Sequence, residues 1–130
     1  MSYKAYLTST LGLPKNHHAL FIETHATGPK TGFLYQVTGT IQHGMVFEHK
    51  HGMQPERRRD FGGLKEFLGV VTKEDFENGR VKEGVESVEP PKKQFEGGER
   101  LFPNEGLRRS QEWCGEVVGV LRGWGVISWE

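Results

Sequence analysis

His17-His18-Ala19-Leu20-Phe21-Ile22-Glu23-Thr24 is an apolar run headed by two histidines, with Pro14 before it and Gly28-Pro29 after it. An apolar run of this length between turn residues reads as a β-strand. The next segment, Phe33 to Thr40 (FLYQVTGT), is aromatic and β-branched, and Gly44 to Lys50 (GMVFEHK) follows closely. Ala26 to Gly32 carries hairpin-type turn chemistry between the first two. Three strands joined by short glycine-containing connections predict an antiparallel meander.

The C-terminal third has the complementary signal. Pro103-Asn104-Glu105 offers an asparagine N-cap and an acidic first turn. Beyond it, Leu107, Ser110, Gln111, Cys114, Val117, Val118 and Leu121 recur at helical spacing, and the helix is expected to end near Gly123 or Gly125. On this reading Trp113 and Trp124 project away from the Ser110 face, onto a second layer or onto a surface that a second copy of the chain could cover.

The middle carries weaker signals. His51 to Gly63 is polar and glycine-punctuated, which reads as a loop, and Phe67 to Thr72 reads as a short strand. Thr72 followed by Lys73-Glu74-Asp75 has the form of a capped helix start. Val85 to Gly98 contains Pro90-Pro91 and a glycine pair and reads as an extended connection. The expected class is therefore α+β, a small antiparallel sheet packed against a C-terminal helix.

Length and composition bound the rest. A chain of 130 residues is one domain's worth of sequence, and 35% apolar residues together with 18 glycines is an ordinary globular composition. The expected domain is therefore 1–130. Seventeen basic and seventeen acidic residues cancel, and Arg57-Arg58-Arg59 is the only dense basic run, so nucleic acid is not expected as a partner. The near-neutral charge does not oppose self-association into a homodimer. A single cysteine excludes an internal disulfide and fits a reducing compartment. Met1 to Thr10 lacks a basic segment followed by an apolar one, and no apolar run approaches the ~20 residues of a membrane span. A cytoplasmic location is the resulting expectation. His43, His49 and His51 match no zinc-ligand spacing, so no metal and no cofactor is expected.

Polar positions at the head of an otherwise apolar helix face point to chemistry. A hydroxyl or thiol there sits at the positive end of the helix dipole, and free backbone N–H groups can hold an oxyanion. A histidine on a neighbouring strand supplies the general base. Ser110 is nearest the helix start, whereas Cys114 lies one turn deeper and reads as a packed, small hydrophobe.

The histidine segment, His17-His18-Ala19-Leu20-Phe21-Ile22, resembles the His-Trp-Ala-Ile-Tyr-Val and His-x-Gly-Ile-Tyr strands of the lecithin:retinol acyltransferase-like and permuted NlpC/P60 families. Their later Asn-Cys-x-x-Phe helix start is matched by Arg109-Ser110-Gln111-Glu112-Trp113. The resemblance covers 17–37 and 104–121, and the chain's overall cast also resembles small uncharacterised fungal proteins. What the resemblance implies is a circularly permuted papain-like fold and acyl chemistry: hydrolysis of an amide, ester or thioester, or acyl transfer. His17 would be the base, position 110 the nucleophile and Gln36, on the paired strand, the orienting group; His18 points to the opposite face of the strand and inherits the base role if the register is off by one. His18, Gln111 and Trp113 would contact a small-molecule or peptide acyl substrate.

Serine at 110 departs from the cysteine of those families. An engineered replacement, a natural serine enzyme and a binding protein that has lost the chemistry all remain open. Two other readings stand beside the hydrolase: a non-catalytic small-ligand or protein-binding module using the same cleft, and a lyase or isomerase working through His17 with Glu23 and Glu48.

Overall fold

The computed structural model describes residues 1–129; Glu130 of the expected 1–130 domain lies outside the described residues. The chain builds one five-stranded antiparallel sheet in the order β4-β3-β2-β1-β5, with all the longer helices on one of its faces. β2 (His17–Glu23), β3 (Gly32–Thr40) and β4 (Gly44–Gly52) form the meander, with Leu20 opposite Tyr35 and Tyr35 opposite His49. Gly32 is required at its position because a Cβ there would come 2.1 Å from the carbonyl oxygen of Ile22.

Two strands extend the sheet beyond the meander. β1 (Ser2–Thr10) pairs with β2 through Tyr6–Phe21 and Thr10–His17, so a segment without a strand signature in its composition becomes a central strand. Its alternation explains this. Tyr3, Ala5 and Leu7 face the helices, while Lys4, Tyr6 and Thr8 take the other face. β5 (Phe61–Thr72) is twelve residues long, twice the short strand expected from Phe67, because the glycine-rich Phe61–Glu66 half also pairs with β1. The polar 51–63 stretch is consequently a loop only between Met53 and Asp60, around a single 3-10 turn at Pro55–Arg57.

Thr72 ends β5 and caps α1 (Lys73–Glu77), its Oγ1 accepting from the Asp75 N–H at 3.0 Å. α2 (Arg80–Glu86) buries Val81 and Val85, and so occupies the first residues of the stretch read as an extended connection. The rest of that stretch runs to a two-residue hairpin, β6 (Phe95–Glu96) with β7 (Glu99–Arg100), turning on Gly97-Gly98 at positive φ.

The last helix, α3 (Ser110–Gly123), begins five residues later than the asparagine cap suggested, with Arg109 instead of Asn104 at the N-cap. Residues 101–109 stay non-helical because Gln94 and Glu112 hold the backbone of Arg108 and Arg109 in an extended approach. α3 then packs across β2, and its buried face is Ser110, Trp113, Cys114, Val117, Val118 and Leu121. Trp113 therefore does not project away from the Ser110 face. It lies inside the core, donating from Nε1 to the carbonyl of Val88 at 2.9 Å. Trp124 does lie near the surface, under the guanidinium of Arg80.

Sheet residues Tyr3, Ala5, Leu20, Ile22, Tyr35 and Val37 join the helix residues in one continuous core. Ala19, Phe21 and Leu34 form a small cluster on the opposite face. Among the described residues, no helix is long and apolar enough to cross a membrane.

Candidate functional site

The start of β2 and the start of α3 meet at one end of the sheet, 92 residues apart in sequence. There the His18 N–H donates to Ser110 Oγ at 3.2 Å. One residue on, Gln111 Nε2 donates to the carbonyl of Asn16 at 3.0 Å, and Asn16 Oδ1 accepts from the Gly12 N–H at 3.3 Å. These contacts tie the 12–18 segment to the first turn of the helix. A cavity of about 110 Å³ opens at the same point, lined among others by Asn16, His17, Arg109, Ser110, Thr40 and Met45.

Ser110 is the first residue of α3, where the backbone N–H groups lack intrahelical partners and the dipole favours negative charge. Only 2% of its surface is exposed, and it lines the cavity. The ring of His17 lies against Gly12, where a Cβ would come 2.7 Å from its Cδ2, so glycine is needed for the histidine to lie there. His18 alternates with Leu20 and Ile22 onto the helix side. Burial pushes its ring pKa down from the ordinary histidine value, while Glu112 and Glu66 oppose that shift.

The Gln36 side chain is bonded to an acid on β4 and not to a histidine. Gln36 shares a face with Leu34, which belongs to the small cluster away from the helices, and its Nε2 donates to Glu48 Oε1 at 2.8 Å. The resemblance placed it on the strand beside the histidine strand. Strand alternation puts Gln36 on the face of Leu34, Ala19 and Phe21, away from α3. His17 has the same parity as Ala19 and Phe21 and reaches the cavity only at the strand's end, whereas His18 has the parity of the α3 side. Trp113, expected to contact substrate, is sealed in the core, and Gln111 is committed to the Asn16 carbonyl. Cys114 is fully buried one turn below Ser110, and burial pushes its thiol up to about 12, so it carries no thiolate at neutral pH.

Among the described residues, no group of three or more His, Cys, Asp or Glu side chains could hold a metal ion. His49 is instead paired with Glu86 at 3.2 Å, and His43 with Thr40. Glu23 and Glu48, offered above as acids for a lyase, are bound to Lys65 and Lys50.

Two residues without a sequence signal shape the site. Gln94 is 6% exposed, and its side chain grips the backbone of Arg108 from both ends: Oε1 accepts from the N–H at 2.9 Å and Nε2 donates to the carbonyl at 2.7 Å. Glu112 Oε1 accepts from the Arg109 N–H at 2.7 Å, the acidic half of a capping box. Together they fix where α3 starts and hence where Ser110 stands. Replacing Gln94 by alanine leaves the part-buried N–H and C=O of Arg108 without these partners, and is expected to cost about 1–3 kcal/mol. Urea unfolding measures the loss, and amide NMR shifts of Arg109 and Ser110 report the displaced helix start; an unchanged midpoint and unchanged shifts would remove Gln94 from this role.

A larger recess of about 270 Å³ lies around Lys92, Arg100, Phe102 and Arg108. Its cations are engaged with the protein itself: Arg108 with Glu116 and the Glu89 carbonyl, Lys92 with Glu105 and the face of Phe102. The smaller cavity is the one that joins a histidine to a helix N-terminus.

Residues 5–128 match the sequence profile of DUF6540, a family of unknown function. No curated protein and no solved structure matches the chain.

Proposed function

The chain belongs to the DUF6540 family of unknown function, and from that premise we propose that it is an acyl-handling domain of permuted papain-like design, with His17 and position 110 as the reacting pair. The observation that carries this reading is the cavity shared by His17 and the first residue of α3. The order of the parts also agrees with the resemblance: histidine strand first, nucleophile helix later.

The chemistry follows from those positions. His17 takes the proton from the nucleophile at 110 as its heteroatom bonds to the substrate carbonyl carbon. The oxyanion that forms is held by the backbone N–H groups at the start of α3. The C–X bond then breaks, and the leaving group takes the proton from His17. Water, or an acceptor alcohol or amine, attacks the acyl intermediate and restores the nucleophile. Gln36 has no part in these steps. With serine at 110 the first step is slow, because a hydroxyl is far less acidic than a thiol and needs a closely placed base.

A second reading is favoured by the burial of Ser110 and by its bond from the His18 N–H. It is a binding module that holds an acyl compound in the same cavity without turning it over. Incubation with p-nitrophenyl acetate, followed by intact-mass and peptide mapping, separates the two. Ser110→Cys is expected to gain one acetyl group at position 110, and to lose that adduct when His17→Ala is added. The unsubstituted chain, whose one thiol is the buried Cys114, is the control. Absence on Ser110→Cys of both an adduct and p-nitrophenolate release above that of the unsubstituted chain leaves the binding module and ends the catalytic reading.

A further inference from the structure

We propose that the cavity at position 110 is built for a small acyl compound that carries a free carboxylate, recognised by Arg109 with Lys15 at the rim. This names the substrate class of the site read above, and rests on that reading only for where the reacting carbonyl lies.

The first observation is an unopposed charge. Of the seventeen lysines and arginines, four are half-buried: Arg58, Lys65, Arg108 and Arg109. Arg58 pairs with Asp60, Lys65 with Glu56 and Glu23, and Arg108 with Glu116. Arg109 alone has no carboxylate within 4 Å of its guanidinium among the described residues. Glu112, the acid nearest in sequence, is bound to the Arg109 backbone N–H. A half-buried guanidinium keeps a desolvation cost that a carboxylate partner offsets, and its planar fork matches a carboxylate with two parallel hydrogen bonds.

The second observation is the composition of the wall. Lys15, His17 and Arg109 line the cavity together with Asn16, Thr40 and Gln42, and no acidic side chain lines it among the described residues. Ile41 and Met45 supply an apolar side. In a chain with equal numbers of acids and bases, a recess lined by bases alone favours an anion.

The third is size. About 110 Å³ is well below the ~300–1,000 Å³ of sites for drug-sized ligands, so the cavity suits a short acyl fragment rather than a long chain. Ser110 and Arg109 both line the cavity, so one small ligand within it can meet both. A free small acid and the C-terminal carboxylate of a peptide share this chemistry; the size favours the small acid.

The test uses the unsubstituted chain first. Propionate titrated into the 15N-labelled protein is expected to shift the amides of Arg109, Ser110 and His18 saturably. Propionamide, the neutral analogue, is expected to shift them far less. Arg109→Gln, which keeps the N–H that Glu112 accepts, is expected to weaken propionate at least tenfold, and Lys15→Gln to weaken it by less. N-acetyl-glycyl-alanine is the peptide arm: tighter binding than propionate would assign the site to a peptide C-terminus instead of a small acid.

A second arm uses Ser110→Cys and compares iodoacetate with iodoacetamide, which differ in charge and little in size. The ratio of their alkylation rates is expected to favour iodoacetate at least tenfold over the ratio for a free thiol, and to fall back in Ser110→Cys/Arg109→Gln. Equal shifts with propionate and propionamide, or no shifts at all, overturn the carboxylate site. Saturable propionate binding with slow alkylation by both reagents keeps that site and overturns only the reacting pair.

Discussion

Replacing Trp113 by alanine is expected to lower the stability of the protein by about 3–5 kcal/mol, the usual cost of truncating a fully buried tryptophan. The side chain is completely buried between α2, α3 and the sheet, with the ring of Phe47 6.3 Å away centre to centre. Its loss opens a cavity and also strips the Val88 carbonyl of its donor. A domain of this size is held by about 5–15 kcal/mol in total, so the change consumes a large share. Urea unfolding should show a midpoint lowered by about a fifth or more with little change in slope. Trp113→Phe keeps most of the volume and loses the hydrogen bond, so it should cost about 1–2 kcal/mol. Trp124→Ala should cost less than either, because that ring is partly exposed. An unchanged midpoint in Trp113→Ala would mean that the ring does not fill the core. The site is linked to this packing, since Trp113 lies one turn after Ser110 on the same helix and a loosened α3 moves position 110 relative to His17.

The meander was legible because its strands are apolar or aromatic and are separated by glycine turns, as at His17–Glu23 and Gly32–Thr40. α3 was legible for a similar reason: Cys114, Val117, Val118 and Leu121 recur at helical spacing and all are buried. β1 escaped notice because half its residues are Ser, Lys and Thr, and its strand state depends on pairing with both β2 and β5. Trp113 was misassigned because the polar residues Ser110 and Gln111 pulled the inferred face around the helix, whereas the buried stripe takes Trp113 and leaves Gln111 at its margin.

The helix start shows how a local signal loses to a tertiary one. Asn104 is an acceptable cap in isolation, but the buried Gln94 amide, fourteen residues before Arg108, holds that backbone extended and delays the helix to Ser110. Gln94 belongs to no motif, and Arg109 stands where the resembled families have asparagine. The role of Gln94 comes from the backbone it grips and that of Arg109 from the carboxylates that do not reach it, both properties of the folded chain. Gln36 is the converse case: its strand matched the resemblance, but its side chain lies on the face away from α3 and is bonded to Glu48.

The pairing of the histidine strand with position 110 is tested most directly by the pH dependence of alkylation in Ser110→Cys, followed by intact mass with iodoacetamide. An ordinary thiol with a pKa of about 8.5 is only about 0.3% ionised at pH 6. A thiol at the head of α3 beside His17 is expected to titrate about three units lower. Ionisation then rises a few hundredfold at pH 6 while the nucleophilicity of each thiolate falls roughly twentyfold, a net gain of about tenfold in rate. The decisive feature is the midpoint: near pH 5.5–6 in Ser110→Cys, and returned toward 8.5 when His17→Ala is added, with His18→Ala retaining the low value. A midpoint near 8.5 in Ser110→Cys itself would contradict the reacting pair and leave the cavity as a binding site alone.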